Sequence, residues 1–307
     1  MDHATTLPVI DSGERPRRRL PPWLKRPMPT AEMLDTRRLI NGLRLNTVCV
    51  EARCPNLTEC WSRGTATFMV LGDECTRRCG FCAVGTKKPL PPELDEPERM
   101  AEAAAHLGLR HVVITSVARD DLPDEGASHF ANCIHATRER LPHATIEVLV
   151  PDFHGKPDLI RIVCDAQPEI YNHNIESVAR LQKKIRPAAR YERSLGVLKS
   201  VKQIDARIKT KSGIMVGLGE TWDELIQTLE DLRTHGCEML TVGQYLQPGR
   251  EYLPVERFYP PTEFDELARI ARRLGFAAVA SGPFVRSSYF AETLFSEADG
   301  ERASSHA

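Results

Sequence analysis

The sequence of 307 residues has no long apolar run, almost no net charge and no apolar leader at its N-terminus. Without such a run, no segment can span a bilayer. Because 41 lysines and arginines nearly balance 42 aspartates and glutamates, the chain is neither a generic nucleic-acid binder nor an acidic disordered protein. Residues Met1–Glu14 lack the apolar core of a secretory signal, and Asp2, Asp11 and Glu14 disfavour a transit peptide. We therefore expect a soluble, cytoplasmic protein with no membrane or nucleic-acid partner.

Cysteine, in contrast, is abundant and clustered. The chain has nine cysteines, and six of them fall between Cys49 and Cys82. An odd, clustered set does not fit the disulfide framework of a small secreted domain, so it indicates metal binding. Cys133, Cys164 and Cys237 stand alone in apolar surroundings and are expected to be small buried side chains.

From Thr65 onward, apolar β-rich runs alternate with amphipathic helical segments, and no internal repeat is visible. The predicted strands are Thr65–Leu71, His111–Ser116, Thr145–Val150, Glu169–Asn172, Ser212–Val216, Met239–Gln244 and Ala277–Ser281. The predicted helices are Ala31–Asn41, Glu98–Leu107, His129–Leu141, Lys156–Ala166, Ile175–Lys183, Arg190–Ile208, Trp222–His235 and Thr262–Leu274. This alternation predicts an α/β fold with βα units and a parallel sheet.

The number of βα units predicts a partial barrel of the (βα)6 type, with its chemistry on loops at the carboxyl ends of the strands. We expect the barrel over residues 63–285, an N-terminal extension over 1–62 and a C-terminal extension over 286–307. The small, polar tail Glu297–Ala307 is expected to fray.

The first 35 residues are rich in proline and arginine and are expected to form an extended arm. Its positive charge could attract an acidic protein partner, although a solvated tail is the simpler interpretation. The basic side chains are Arg15, Arg17–Arg19, Lys25 and Arg26.

One cysteine triad, Cys75-Thr-Arg-Arg-Cys79-Gly-Phe-Cys82, directly follows the first predicted strand. Three thiolates in one loop suit an iron–sulfur cluster or zinc, and a cubane would keep one iron open to a small chelator. A zinc site completed by a histidine is the alternative, although zinc sites usually pair C-x2-C units or add histidines.

The C-x3-C-x2-C loop resembles the signature of the radical S-adenosylmethionine (SAM) superfamily. The resemblance implies that the open iron chelates the amino and carboxylate groups of SAM. One electron then breaks a carbon–sulfur bond of SAM, which yields methionine and a 5′-deoxyadenosyl radical. Phe81 stands at the aromatic position beside the adenine; packing of the loop would also explain it.

A second triad, Cys49-Val-Glu-Ala-Arg-Cys54-Pro-Asn-Leu-Thr-Glu-Cys60, precedes the first. By itself the C-x4-C-x5-C spacing is also compatible with zinc or with buried thiols. Next to the Cys75 triad it indicates a second cluster, which suggests sulfur donation or electron relay.

Together the two triads, with Arg53-Cys54-Pro-Asn and Glu59-Cys60-Trp61, resemble the lipoyl synthase family. The resemblance extends from about Pro22 to Phe290. Further matching motifs, in order, are Gly64-Thr-Ala-Thr-Phe-Met, Thr115-Ser-Val-Ala-Arg-Asp-Asp-Leu, Tyr171-Asn-His-Asn-Ile-Glu, Tyr191-Glu-Arg-Ser-Leu, Lys211-Ser-Gly-Ile-Met-Val-Gly-Leu-Gly-Glu, Gly243-Gln-Tyr-Leu-Gln-Pro and Arg286-Ser-Ser-Tyr.

The family resemblance implies two 4Fe–4S clusters, and SAM as the second kind of cofactor. Cys75, Cys79 and Cys82 would hold the catalytic cluster. Ser287, with Ser288 as the alternative, would complete an auxiliary cluster on the other triad. An oxygen ligand holds iron less strongly than a thiolate, so that iron could depart when this cluster gives up its sulfur.

The implied reaction inserts two sulfur atoms at C6 and C8 of a protein-bound N6-octanoyl-lysine. It gives N6-lipoyl-lysine, 5′-deoxyadenosine and methionine, with the auxiliary cluster as sulfur donor. The implied carrier proteins are the glycine cleavage H protein or the E2 lipoyl domains of 2-oxoacid dehydrogenases. A ferredoxin- or flavodoxin-type reductant and an iron–sulfur carrier for cluster rebuilding are further implied partners.

Several polar residues stand at predicted strand ends, where a barrel would direct them at the cofactor. Serine and asparagine can bind the methionine amine and glutamate the ribose hydroxyls; helix N-capping explains each equally well. These residues are Thr115, Ser116, Asn172, Asn174 and Glu176. His173 is interpreted as a structural histidine. Arg186 and Arg193 could bind carboxylates or lie on solvated helix faces.

The alternatives are another radical SAM enzyme that inserts sulfur or transfers methylthio groups, a ferredoxin-like electron-transfer protein and a zinc-stapled interaction module. The chain departs from the family pattern at two places. Asp124-Glu125-Gly126 stands where two consecutive glycines commonly follow the aspartate, and Gly249-Arg-Glu-Tyr252 before Leu253-Pro254 stands where a serine and a histidine are usual. Neither departure touches a cysteine.

Overall fold

The structure, a computed structural model, describes residues 20–24 and 31–304. The predicted basic arm, with Arg15, Arg17–Arg19, Lys25 and Arg26, lies outside these residues. Within them, no helix is long and apolar enough to cross a membrane.

The strands form one sheet in which spatial order follows chain order. They are β1 (Asn46–Thr47), β2 (Thr67–Val70), β3 (His111–Ser116), β4 (Thr145–Leu149), β5 (Ile170–Asn172), β6 (Lys209–Val216), β7 (Met239–Gln244) and β8 (Ala278–Gly282). β1 is antiparallel to β2, and each later neighbouring pair is parallel. Among the described residues no pairing joins β8 back to β1, so the barrel is open.

Helices pack along the outer face of this sheet, and one more helix lies at its amino-terminal end. They are α1 (Ala31–Gly42), α2 (Val48–Glu51), α3 (Leu57–Ser62), α4 (Glu96–His106), α5 (Ala127–Arg140), α6 (Pro157–Asp165), α7 (Gln182–Ile185), α8 (Tyr191–Ile204), α9 (Trp222–Thr234), α10 (Pro261–Arg273) and α11 (Ala291–Ser304). Short 3-10 turns lie at Pro22–Leu24, Phe153–Gly155 and Ala179–Leu181. The βα units from β2 to α10, followed by β8, confirm the predicted α/β partial barrel.

All the predicted strands are present, but the predicted helix Ile175–Lys183 is wrong in its first half. Glu176 pairs with β6 instead: its N–H donates to Gly213 O at 2.9 Å, and Met215 N–H donates to Glu176 O at 3.0 Å. The backbone of Glu176 has φ +65°, which a helix does not allow. The segment therefore continues along the sheet before it turns into α7.

The predicted fraying of Glu297–Ala307 is also wrong as far as Ser304, because these residues continue α11. Leu294 and Ala298 of α11 are buried against apolar residues that begin three of the strands; these are Ile170, Met239 and Ala278. This packing caps the amino-terminal end of the barrel. It leaves the opposite, carboxyl-terminal end of the strands accessible.

A cysteine-lined cavity at the carboxyl ends of the strands

All six clustered cysteines line one cavity of about 500 Å³ at the carboxyl ends of the strands. Ser287 and Ser288 line it as well, as do Phe81, Thr115, Ser116, His173, Asn174, Glu176 and Arg186. Residues far apart in the chain therefore line one cavity. The cavity lies at the carboxyl ends of the strands, where the sequence predicts the functional loops.

The loop of the Cys75 triad is fixed by backbone hydrogen bonds at several points. Cys75 N–H donates to Gly85 O at 2.7 Å, and Cys82 N–H donates to Cys79 O at 3.1 Å. Gly80 joins neighbouring loops on both sides, donating to Ile185 O at 2.8 Å and accepting from Leu253 N–H at 2.9 Å. The three cysteines thus lie on a rigid turn that is anchored to the barrel.

The Cys49 triad occupies α2, α3 and the tight turn between them. Cys54 N–H donates to Cys49 O at 3.0 Å, and Cys60 N–H donates to Asn56 O at 2.9 Å. Arg53 has φ +51°, so the chain reverses just before Cys54. This reversal directs the sulfurs of two consecutive short helices toward the same cavity.

The spacing of the sulfurs fits clusters better than single zinc ions. Tetrahedral zinc with bonds of about 2.3 Å needs sulfurs about 3.8 Å apart. Among the described residues, neither triad brings its three sulfurs within 4.8 Å of one another. Neither triad is therefore gathered around a single ion, and thiolates also commonly hold polynuclear clusters.

Burial raises the pKa of three of the thiols that face the cavity. It raises the pKa of Cys49 to about 11, of Cys79 to about 11 and of Cys82 to about 12. The positive charge of Arg186 works against this effect at Cys79. Near neutral pH these three thiols are protonated when free, so binding of a cluster has to displace their protons.

The segment that carries Ser287 is held against the Cys49 triad by side chains on both sides. Asn56 Nδ2 donates to Phe284 O at 2.7 Å, and Tyr289 Oη donates to Glu59 Oε1 at 3.0 Å. Thr67 Oγ1 donates to Ser288 Oγ at 2.8 Å. Asn56 and Glu59 both lie between or beside cysteines of this triad, so the serines and the triad form one unit.

Two glycines on neighbouring strands make room for this segment. A Cβ at Gly243 would lie 2.1 Å from Val285 O, and one at Gly213 would lie 3.0 Å from Ser287 Oγ. The same Cβ at Gly213 would lie 2.8 Å from Asn174 Oδ1. The glycines thereby admit the C-terminal segment to the mouth of the barrel.

Most of the residues predicted to contact SAM lie on the cavity wall. Ser116 Oγ has no hydrogen-bond partner in the structure, whereas Thr115 Oγ1 donates to Leu149 O at 2.8 Å. Asn174 Nδ2 donates to Glu176 Oε1 at 3.0 Å. Burial raises the pKa of Glu176, and the charge of Arg186 opposes that rise. Phe81 packs beside the apolar core formed by the later strands.

Asn172 is the exception, and the expectation that it contacts the cofactor is not supported. Its side chain is fully buried inside the barrel, away from the cavity lining, and its Nδ2 donates to Glu147 Oε1 at 2.9 Å. Glu147 also binds Lys211 Nζ at 2.8 Å. Because side chains alternate along a strand, the last residue of β5 points into this charged interior.

His173 has the structural environment that the sequence predicts. Its Nδ1 lies 2.8 Å from Val150 O and its Nε2 lies 3.0 Å from Ser194 Oγ. Burial and the charge of Arg186 lower its pKa to about 4, so the ring is neutral. Of the two arginines, Arg186 reaches the cavity, and Arg193 instead binds Asp152 Oδ2 at 3.1 Å.

Arg77, within the cysteine loop, is a residue whose importance the sequence reasoning missed. Its side chain is buried between Asp120 and Asp152, at 2.7 Å from an oxygen of each. Burial alone would lower the pKa of Arg77, but these carboxylates raise it above its usual value. The sequence feature that could have indicated this role is the pair of aspartates, Asp120 and Asp152, that follow β3 and β4.

Comparison with known proteins identifies the family. The sequence profile of the Radical SAM superfamily matches residues 69–232. The chain is 54% identical over 302 residues to the lipoyl synthase of Rhodopirellula baltica, covering 95% of each chain. It is 51% identical to the lipoyl synthase of Symbiobacterium thermophilum, covering 98% of this chain and 95% of the relative. The chain belongs to the lipoyl synthase family.

Solved structures agree on the fold of this lipoyl synthase family member. Methylornithine synthase (PylB) superposes with a TM-score of 0.52 at 17% identity, over 68% of this chain and 61% of that one. HydG, a maturase of the [FeFe]-hydrogenase, superposes with a TM-score of 0.54 at 11% identity, over 69% of this chain and 50% of that one. These structures show the barrel fold alone.

Membership in the lipoyl synthase family confirms the family and the enzyme class that the sequence predicts, and it excludes the ferredoxin and zinc-module alternatives. The chain is a radical SAM enzyme of lipoate biosynthesis whose activity is sulfur insertion. The superfamily implies SAM and one 4Fe–4S cluster as cofactors.

Proposed function

We propose that this chain converts an N6-octanoyl-lysine on a carrier protein into N6-lipoyl-lysine, using both cysteine triads at once. Each of two SAM molecules is cleaved to methionine and 5′-deoxyadenosine as a hydrogen atom leaves C6 or C8. The observation that carries the proposal is the single cavity that all six clustered cysteines and Ser287 share. Cofactor, sulfur source and substrate carbon chain can meet there.

Cys75, Cys79 and Cys82 are proposed as the ligands of the radical SAM cluster. That cluster, when bound, supplies the electron that cleaves SAM to a carbon radical strong enough to attack an unactivated C–H bond. The protein contributes a fixed loop, since Gly80 and Cys75 are hydrogen-bonded to three different parts of the barrel. It also contributes the cavity wall that would orient the cluster, SAM and the substrate relative to one another.

The Cys49, Cys54 and Cys60 triad, with Ser287, is proposed to hold a second 4Fe–4S cluster that is the sulfur-donating substrate. The contacts from Asn56, Glu59 and Thr67 to the C-terminal segment support this ligand set. Both serine hydroxyls are hydrogen-bonded, Ser288 to Thr67 and Ser287 to Asn174 Oδ1 at 2.9 Å, so the choice of Ser287 follows the family resemblance.

SAM is proposed to lie between Phe81 and the strand ends of β3 and β5. Ser116 and Thr115, with Asn174, are proposed to accept hydrogen bonds from its amine, and Glu176 is proposed to bind its ribose hydroxyls. The free Oγ of Ser116 and the burial of Glu176 support these roles, because each offers a polar group in an otherwise apolar wall.

The carrier partner is proposed to be a glycine cleavage H protein or an E2 lipoyl domain. A ferredoxin- or flavodoxin-type protein is proposed as the electron donor and an iron–sulfur carrier as the source of a new auxiliary cluster. We also propose the division into an N-terminal extension (1–62), a barrel (63–285) and a C-terminal extension (286–307). The gap between α3 and β2, and the end of β8, support these limits.

Product analysis tests the proposal through two matched substitutions. Anaerobically reconstituted enzyme is incubated with dithionite, SAM and an octanoyl-lysyl peptide, and 5′-deoxyadenosine and thiolated peptide are measured by mass spectrometry. We expect Cys75→Ala to abolish both products. We expect Cys54→Ala to retain 5′-deoxyadenosine but to form no thiolated peptide, because its sulfur source is lost.

Cys164→Ala serves as the control, since Cys164 is buried in α6 and does not line the cavity. It is expected to form both products. If Cys54→Ala still formed thiolated peptide, the Cys49 triad would not be the sulfur donor. Absence of both products from the unsubstituted enzyme would defeat the proposed function.

A further inference from the structure

Two backbone amides point at the sulfur of Cys75. Arg77 N–H donates to Cys75 Sγ at 3.4 Å, and Ala118 N–H donates to it at 3.3 Å. The Arg77 amide belongs to the cysteine loop itself, whereas the Ala118 amide lies just beyond β3. The Ala118 amide therefore reaches Cys75 only if the cysteine loop and the turn after β3 keep their relative position. Hydrogen bonds to cluster sulfurs help to set reduction potentials.

Thr76 holds these two segments together. Its N–H donates to Ala118 O at 3.0 Å. Its hydroxyl lies 2.9 Å from Ala118 O and 3.1 Å from Asp120 Oδ2, either of which can take its hydrogen. The same hydroxyl accepts Asp120 N–H at 3.2 Å. One side chain therefore contacts both ends of the turn that presents the Ala118 amide.

Arg77 fixes the far end of that turn. Its guanidinium binds Asp120 through two nitrogens, Nε at 2.8 Å from Oδ2 and Nη2 at 2.7 Å from Oδ1. Its third nitrogen binds Asp152, which is fully buried and also binds Arg193. Such a two-pronged pair restrains orientation as well as distance. The turn is anchored to the barrel through Arg77, while Thr76 supplies the local contact without a charge of its own.

We propose that Thr76 is a positioning residue that raises the reduction potential of the radical SAM cluster by holding the Ala118 amide on Cys75 Sγ. Reduction adds negative charge to the cluster and its thiolates, and an N–H dipole stabilises the reduced form more than the oxidised form. Loss of the Thr76 hydroxyl loosens the turn and weakens one of two such bonds. The inference rests on the proposed assignment of Cys75, Cys79 and Cys82 to this cluster.

The test is a redox titration of the holoenzyme carrying Thr76→Val, which removes the hydroxyl and keeps the shape and charge. The cluster signal is followed by electron paramagnetic resonance, and the SAM-responsive spectrum separates this cluster from the second one. We expect a lower midpoint potential for Thr76→Val and a value like that of the unsubstituted enzyme for Thr76→Ser, which restores the hydroxyl.

A kinetic measurement separates a change of potential from general damage. With dithionite as electron donor, Thr76→Val is expected to form 5′-deoxyadenosine several-fold more slowly. With the stronger reductant titanium(III) citrate, its rate is expected to recover toward that of the unsubstituted enzyme. A merely structural defect would not respond to the reductant.

Thr137→Val is the matched control, because its buried hydroxyl donates to Cys133 O at 2.7 Å inside α5, remote from the cysteine loop. Its midpoint potential is expected to be unchanged. An unchanged potential in Thr76→Val, or an equal shift in Thr137→Val, would overturn the inference. Failure of lipoyl formation in the unsubstituted enzyme would instead count against the proposed function, because the titration needs no product.

Discussion

Asp152 shows how one buried residue supports the cysteine loop through an arginine of that loop. Its carboxylate is fully buried and binds Arg77 at 2.7 Å and Arg193 at 3.1 Å. Burial would raise the pKa of Asp152, but the charge of Arg77 and the other neighbouring cations lower it to about 2. Asp152 is therefore ionised at every pH at which the enzyme would work.

We predict that Asp152→Asn lowers the free energy of unfolding by roughly 3 kcal/mol, because it leaves the buried guanidinium of Arg77 with less compensating charge. Urea unfolding of the anaerobic holoenzyme measures the change. Asp205→Asn is the control; its partner Arg207 is 79% exposed, so a loss below about 1 kcal/mol is expected. Equal losses in both variants would contradict the buried network.

Glu125 is a residue-scale departure from the family pattern that the structure partly explains. Its backbone has φ +52°, a conformation that glycine adopts more easily. Its side chain is nevertheless buried and binds Lys156 Nζ at 2.7 Å. A glycine would adopt this backbone conformation without strain. With glutamate, the ion pair to Lys156 offsets part of the cost of the strained conformation.

At the scale of elements, the C-terminal extension joins the two ends of the barrel. Its Arg286-Ser-Ser-Tyr segment lies at the cavity, and α11 seals the amino-terminal end. Val285, directly before this segment, packs against Gly243 of β7. We therefore expect crowding at that point to weaken cluster binding at the Cys49 triad without unfolding the barrel.

We predict that Gly243→Ala reduces the iron and sulfide bound at the Cys49 triad, because its Cβ would lie 2.1 Å from Val285 O and displace the serine segment. Elemental analysis after reconstitution measures the loss, and 5′-deoxyadenosine formation is expected to persist. Gly196→Ala in α8 is the control, since a Cβ there meets nothing within 4 Å. A full complement of iron in Gly243→Ala would contradict the prediction.

Element patterns also show what sequence reasoning could predict. The pattern of apolar residues predicted all the parallel strands, and the cysteine spacing predicted both triads. Both patterns lie within short stretches of sequence, so they can be read without knowing the tertiary contacts. The extended course of Ile175–Val178 was missed because it depends on pairing of Glu176 with β6, a tertiary contact. The burial of Asn172 was missed because one residue of strand register decides whether a side chain faces the cavity or the barrel interior.

At the scale of the whole molecule, a charged network ties successive strands together inside the barrel. Glu147 of β4 binds Lys211 of β6 at 2.8 Å, Asn172 of β5 at 2.9 Å and His111 of β3 at 3.3 Å. Glu147 and Lys211 are fully buried. Burial would raise the pKa of Glu147, but the charge of Lys211 and the bond to His111 lower it to about 2.

The direction of this shift decides how stability depends on pH. Since the pKa of Glu147 is about 2 in the folded protein and near its usual 4.5 when unfolded, the unfolded chain binds the extra proton first as pH falls. The stabilisation from ionised Glu147 is complete above about pH 5 and is lost between about pH 4.5 and pH 2.

We therefore predict that Glu147→Gln destabilises the holoenzyme by roughly 3 kcal/mol, because Lys211 is left with an uncompensated buried charge, and that the loss is the same at pH 6 and pH 8. Anaerobic urea unfolding at the two pH values measures it. Glu292→Gln, whose carboxylate is 49% exposed in its pair with Arg110, is the control and should change stability by less than about 1 kcal/mol. A loss that shrinks markedly from pH 8 to pH 6 would mean that Glu147 titrates near neutrality, so the barrel interior would not hold it as the charged partner of Lys211.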